Sequence, residues 1–482
     1  MRGQGGSGRG CTMQPRPCPG DFCGRHVLLL QGPVGPFFSR LARDLKNAGA
    51  VVHKINFNGG DRAFYSAGDA VDYTGTLDQW PAFLRRYVHD HEIDTILLYG
   101  DCRPVHDVVF DLFQDEDVEI FSFEEGYIRP LFVTFERGRV NGQSRLPRDS
   151  EWYRQQPLST EGGPGGRDPN TFWHMAWWGI GYHVFAHLYR HRFPNGHALY
   201  HRGLGLEELW PQVRSLLRKG YHALRDWPAS RRLMQHGHGR YFFVPLQVAT
   251  DSQVFRYSRY GDPRTRTGRI EDFIRDVMQS FARHAPSGTM LVLKHHPMDR
   301  GYRHYGRFIR ETAREMGIAR RVTYLVKNVP TPQLINHSLG VVVINSTVGL
   351  QAVLHGRPVK VLGEAIYDMP GLTASCGLDA FWTEAESHVP DRDLVQRFEH
   401  FLKRHCLIRG SFFRRLPESS LHCGLVWPGE ESASRAQTRK DGQVQYRDSL
   451  NRVVVARDAG GGGSAGIRHV AVSTKFGQTS LL

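Results

Sequence analysis

The sequence predicts an α/β protein of two Rossmann-like domains that face a cleft, with a helical, aromatic-rich insertion between them and disordered termini. Three observations lead there. Short apolar runs alternate with stretches of helical period over 26–150, and the alternation returns over 239–385; this is the pattern of parallel βαβ units. Between them, 151–238 loses the alternation and turns aromatic and basic. At both ends, 1–25 and 412–482, Gly, Pro and polar residues follow no period and read as a leader and a tail without a core.

The elements follow in order. Residues 27–30 are the first strand run, and Gln31-Gly32-Pro33 turns the chain into a helix at 37–48 that Gly49 closes. A strand at 51–57, a helix at 77–89, a strand at 95–99, a helix at 105–113 and a strand at 119–123 complete the first domain. The insertion starts with a Gly/Pro-rich loop at 161–170. Phe172, Trp173, Trp177, Trp178, Tyr182, Phe185 and Tyr189 then recur with partial helical spacing, before basic helical sequence at 206–233. An aromatic helix with a basic rim suits a membrane interface or an acceptor contact; packing on the core explains it equally well. His183, His187 and His191 share i, i+4 spacing without an acidic ligand, and no metal is expected. The second domain carries strand runs at 241–246, 290–294, 322–325, 341–344 and 359–362. Helical stretches at 269–284, 302–316, after Pro332 and at 348–355 lie between them. A closing helix at 391–404 occupies the segment 386–411.

A net charge of +14 over 482 residues favours anionic partners. No nucleic-acid motif accompanies the charge, so nucleic acid is not an expected partner. Seven cysteines without a CxxC pair indicate neither a disulfide framework nor a zinc site. Residues 1–25 lack the apolar core of a signal peptide, and no run approaches the ~18–20 apolar residues of a membrane span. The expectation is a cytoplasmic protein, soluble or peripherally attached.

Four polar motifs follow four of the strand runs: Glu124-Glu125-Gly126, Gln247 with Asp251, His295-His296-Pro297, and Asn345-Ser346-Thr347. Ligands of open α/β sheets bind outside the carboxyl ends of the strands, so clusters from both halves point to one cleft. Glu124 and Glu125 are neighbours on a strand and face opposite ways. One suits a general base or an acceptor for a sugar hydroxyl, and the other a partner for Arg129 or Arg148. Asp251 suits attack on an anomeric carbon, or the cap of the next helix. His296, held by Pro297 and near Lys294, suits a phosphate or a backbone contact. Ser346 or Thr347 suits a cap whose helix amides hold a phosphate, or a cap alone.

Together these motifs resemble the capsule polysaccharide biosynthesis and export family of KpsS and LipB type. The stretches that carry the likeness are 121–130 (FSFEEGYIRP), 140–144 (VNGQS), 146–149 (LPRD), 244–247 (VPLQ), 251–253 (DSQ), 294–297 (KHHP) and 345–347 (NST). The resemblance spans about 26–410. It implies a GT-B enzyme that transfers β-Kdo from CMP-Kdo with retention, placing the first Kdo on a lysophosphatidylglycerol acceptor at the inner membrane to start a capsule linker. No cofactor is implied, since CMP-Kdo is the donor substrate. By the same resemblance Asp251 is the nucleophile, and Glu124 or Glu125 is the acidic group near the reacting sugar. Gln247, Lys294, His296, Pro297, Asn345, Ser346 and Thr347 hold the donor, and Arg129 and Arg148 meet the acceptor or the sugar carboxylate. The implied partners are the CMP-sugar, an anionic lipid, the inner membrane surface and other capsule biosynthesis and export proteins. Transfer from another CMP-sugar, elongation of a Kdo linker, and a non-catalytic assembly or export role are the alternatives.

Overall fold

Val27 and Leu29 point into one core and Leu28 and Leu30 into another, all fully buried. Such a strand is covered on both faces, as parallel sheets are. The computed structural model describes residues 16–158, 171–200, 203–262, 264–265 and 267–427. The expectations for 1–15, the loop at 161–170 and the tail from 428 lie outside these residues.

The first sheet contains β1 (His26–Leu29), β2 (Val51–Asn56), β3 (Val71–Asp72), β4 (Thr95–Tyr99), β5 (Glu119–Glu125) and β6 (Phe132–Arg137). The second contains β7 (Tyr241–Pro245), β10 (Met290–Lys294), β11 (Val322–Leu325), β12 (Gly340–Val343) and β13 (Val359–Val361). A small antiparallel ribbon, β8 (Gly261–Asp262) with β9 (Thr267–Gly268), precedes β10. The last strand, β14 (Leu407–Arg409), returns to the first sheet.

The orders are β14-β6-β5-β4-β1-β2-β3 and β11-β10-β7-β12-β13. β1 to β5 are parallel, and so is the whole second sheet. β6 and β14 add an antiparallel edge. In each half the chain first builds outward on one side of its first strand and then returns to the other. The topological switch points therefore lie between β1 and β4 and between β7 and β12, where open sheets bind ligands.

The halves are not independent. Trp152 and Tyr153 pack edge-on against Phe398 and Phe401 of the helix Arg392–His405. Tyr127 and Phe132 share a core with Val341, Val343 and Leu350.

Two boundaries differ from the sequence reading. The leader extends only to residue 15 at most, because Pro19–Phe22 forms a turn of 3-10 helix and Phe22 is buried against Phe121. The tail does not start at 412: Phe412, Leu416, Cys423, Leu425 and Trp427 are buried, and Phe412 packs edge-on against Phe37. These apolar residues fall in short groups without a common period, and Phe412, Cys423, Leu425 and Trp427 fill the first core as a strap. Asp44, buried on the helix Phe37–Asn47, accepts from the His422 and Cys423 amides at 2.7 Å each. Asp44→Ala leaves both donors without their charged acceptor, at a cost of about 2–4 kcal/mol. The expected result is a lower urea midpoint and faster tryptic cleavage after Arg414 and Arg415. Unchanged cleavage contradicts this account of the strap.

Candidate active site

The β7/β12 switch point brings two of the sequence motifs into one hydrogen-bonded group. Gln247, buried just past β7, donates from Nε2 to Asn345 Oδ1 at 3.1 Å, and the Asn345 amide donates back to Gln247 Oε1 at 3.3 Å. Asn345 Nδ2 also donates to the Gln253 carbonyl at 2.7 Å. Asp251 caps the short helix Ser252–Arg256, accepting from the Gln253 amide at 3.0 Å, while its other oxygen lies 3.5 Å from Gln247 Nε2. The carboxylate is thus a cap and a member of the cluster. Ser346 caps the helix Thr347–Leu354 by accepting from the Val348 amide at 3.2 Å.

The β10 end is built differently. His296 caps the 3-10 turn Pro297–Gly301, accepting from the Met298 amide at 3.2 Å. His295 is buried, and Tyr324 Oη lies 2.8 Å from its Nδ1. Burial, helped by His304 and His296, lowers it to about 3, so it is neutral at physiological pH. Lys294 turns to the 329–331 loop, donating to the Val329 carbonyl at 2.6 Å and Thr331 Oγ1 at 2.9 Å, and burial lowers it to about 8. The structure holds Lys294 on that loop and not among the other motifs.

In the first half, Gln31 follows β1 and Arg103 follows β4, and Arg103 donates to Gln31 Oε1 at 2.8 Å across the switch point. Arg103 is buried, stacks over Tyr99 at 4.7 Å and lies close enough to Glu124 to act on its charge. Burial pushes Glu124 up to about 7; Asp101 and Glu125 add to this, and the Glu125 amide and Arg103 oppose it. That amide donates to Glu124 Oε1 at 2.9 Å. Gly126 is required by close approach, since a Cβ there collides with the Phe132 carbonyl. Among the described residues, neither Arg129 nor Arg148 forms an ion pair with Glu124 or Glu125. Arg129 donates to the Gly126 carbonyl at 3.2 Å, and Arg148 to the carbonyls of Asn141 and Gly142 at 3.2 and 3.3 Å.

A narrow cleft with room for little more than a water molecule joins the halves, lined by Tyr127, Asn141 and Gly142 on one side and Gln253, Asn345, Thr347 and Glu364 on the other. Tyr257 pins it: its hydroxyl lies 3.3 Å from Cys102 Sγ, and its ring lies where a Cβ on Gly142 would stand. Arg256 pairs with Asp107 across the same seam. The motif glutamates, Asp251 and His296 do not line this cleft, whereas Asn345 and Thr347 do.

Residues 94–413 match the family model described as capsule polysaccharide biosynthesis protein. The chain belongs to that family. It is 38% identical to the capsule polysaccharide export protein KpsS of Escherichia coli over 79% of this chain and 94% of KpsS. It is 35% identical to the capsule polysaccharide modification protein LipB of Neisseria meningitidis serogroup A over 81% of this chain and 92% of LipB. Among solved structures, a β-Kdo 2,7 transferase structure of Thermosulfurimonas dismutans KpsC aligns at 12% identity and a TM-score of 0.38, over 86% of this chain and all of that one. That likeness is too loose to bear on function.

Four residues of this capsule-family chain escaped the sequence reading of the site. Arg103 sits in a turn whose role appears only when β4 lies beside β1. Tyr127 was inside a quoted motif, but its hydroxyl, which donates to Glu136 Oε1 at 2.5 Å and accepts from the Asn141 amide at 2.8 Å, was not legible. Glu136 is buried on β6, receives Ser144 as well, and is pushed by burial up to about 7. Tyr257 carried no signal. Glu136 carried none either, since the apolar run before it, 132–135, is too short to read as a strand.

Proposed function

We propose that this capsule-family protein is a glycosyltransferase that moves β-Kdo from CMP-Kdo to a lysophosphatidylglycerol acceptor with retention, working on the cytoplasmic face of the inner membrane. The observation that carries the reading is the Gln247–Asn345–Asp251 cluster at one switch point and the Glu124–Arg103–Gln31 group at the other, the two halves being joined by Tyr257 on Cys102 and Arg256 on Asp107. In this reading the CMP phosphate rests against the N-terminus of the helix Thr347–Leu354, with Ser346 and His296 beside it. Asp251 attacks the anomeric carbon and CMP leaves with the bonding pair. Glu124, ionised, takes the proton of the acceptor hydroxyl, whose oxygen displaces Asp251. Two inversions give retention. Arg129 and Arg148 lie on the exposed rim and meet the carboxylate of Kdo or the acceptor phosphate. No metal or cofactor enters the scheme.

The test is CMP release by purified protein given CMP-Kdo or CMP-sialic acid, with and without lysophosphatidylglycerol. The reading expects release that depends on the acceptor and is at least about tenfold faster with CMP-Kdo. The relative KpsS is named for export, and an assembly or export role is the second reading. It gains if no CMP-sugar is consumed by protein that still binds the lipid.

A further inference from the structure

We propose that the outward faces of two helices, Phe172–Leu188 and Leu209–Arg225, form one docking surface for an anionic lipid bilayer. The proposal deepens the lipid-acceptor reading, but it stands on the helices themselves.

A surface helix of a globular protein ordinarily turns its apolar stripe to the core. Leu209–Arg225 does the reverse. Trp210, Val213, Leu217, Tyr221 and Leu224 recur at i+3 and i+4 along one stripe, and all are exposed, Leu217 at 67% and Leu224 at 82%. The opposite face is polar and packed on the protein. Arg218 donates to the Arg300 carbonyl at 2.8 Å, and His222 is buried and stacks on His304 at 5.1 Å. The first helix is anchored through Tyr182, which donates to Asp61 at 2.7 Å, and Trp178, which donates to the Phe413 carbonyl at 3.2 Å. Its own outward residues Trp173, Trp177 and Leu188 are each about two-thirds exposed. The helices meet where Lys219 lies 5.6 Å from the Phe172 ring. A contiguous apolar face of this kind marks an interaction site.

Charge selects the occupant. Neither helix contains an Asp or Glu; Lys219 stands over the Phe172 ring where the helices meet, and Arg190 after the first helix and Arg231 and Arg232 after the second are exposed. Cations also stand over the aromatic rings at the margin, with Arg231 5.4 Å from the Trp227 ring. Aromatic and Leu side chains below a basic rim match the boundary between acyl chains and anionic headgroups. A core-like protein partner does not require the cations.

Position gives the surface its purpose. Trp178 packs on Gly35 in the turn after β1, and the first helix crosses Gly59 just past β2. The second helix rests on Pro297–Gly301 just past β10, where Gly301 leaves room for the Pro211 carbonyl. Both helices therefore cover loops at the carboxyl ends of the two sheets, the end that carries the motifs. Docking there brings the site to the bilayer that holds a lipid acceptor.

Flotation of the full chain with phosphatidylcholine vesicles, with and without phosphatidylglycerol, tests the surface without any sugar nucleotide. It thus stands or falls apart from the transferase reading. The expected result is at least tenfold more bound protein with phosphatidylglycerol, weakened by salt, and a tenfold or greater loss for Leu217→Glu combined with Leu224→Glu. Because both side chains are exposed, the variant keeps its fold, which circular dichroism checks. Quenching of tryptophan by brominated lipid in the wild type, reduced in Trp210→Phe, is the second readout. Equal flotation of wild type and variant overturns the proposal. So does a change in oligomeric state of the variant without vesicle binding by the wild type, which assigns the face to a second copy.

Discussion

Asp251→Asn is expected to lower transfer by about 10³-fold or more while leaving the melting temperature nearly unchanged. The substitution separates the cap that the structure shows from the nucleophile that the proposed mechanism requires. As a cap, Asp251 accepts from the Gln253 amide, and asparagine caps a helix about as well as aspartate. An amide oxygen therefore keeps the short helix Ser252–Arg256 in place, and with it Tyr257 at the seam. As a nucleophile, asparagine is inert, because an amide does not form the glycosyl ester that double displacement needs. Loss of turnover in a stably folded variant assigns chemistry to Asp251, and full turnover reduces it to a cap. Asp251→Ala is less informative, since it removes the cap as well, at about 1 kcal/mol.

The second large effect concerns Glu124. A general base works only when ionised, so turnover is expected to rise with pH through about 7, the value to which burial pushes this carboxyl. Glu124→Gln is expected to lose about 10²–10⁴-fold in turnover and the rise with it. The same group makes a stability prediction of definite sign. Its folded value, about 7, lies above its ordinary value of 4.5. The protonated form favours folding, and that contribution is complete below pH 4.5 and lost as pH rises to about 7. Glutamine mimics the protonated form at every pH. The variant should therefore match the wild type in acid and melt higher above pH 7. Glu136 is also raised to about 7, but it is present in both proteins, so the difference between them isolates Glu124. A flat profile in both, or a less stable variant at pH 8, argues against a desolvated, raised Glu124.

Much of this was legible because parallel sheets write themselves plainly. Runs such as 241–246 and 341–344 are apolar throughout, and the polar residues that end them mark where strands stop and ligands bind. The antiparallel edge was not legible. β6 carries Glu136 directly after a short apolar run, and β14 has only three residues, so neither shows a period long enough to read. The strap 412–427 was missed because its buried residues fall in short groups, 412–413, 416, 423 and 425–427, separated by arginines and serines and following no period. In the site, Gln247, Asp251 and Asn345 came together as their positions at the ends of β7 and β12 implied. The contacts of Arg103 with Gln31 and of Tyr257 with Cys102 depend on which strands are neighbours and how the halves face, and neither is written locally. The helix Leu209–Arg225 reads as ordinary amphipathic sequence, and only the fold shows that its apolar face points outward.

The most direct test is mass spectrometry of a fluorescent lysophosphatidylglycerol after incubation with CMP-Kdo and either the wild type or Asp251→Asn. The account predicts the mass of one added Kdo with the wild type and none with the variant. An unmodified lipid from folded wild-type protein, or equal product from both proteins, contradicts it.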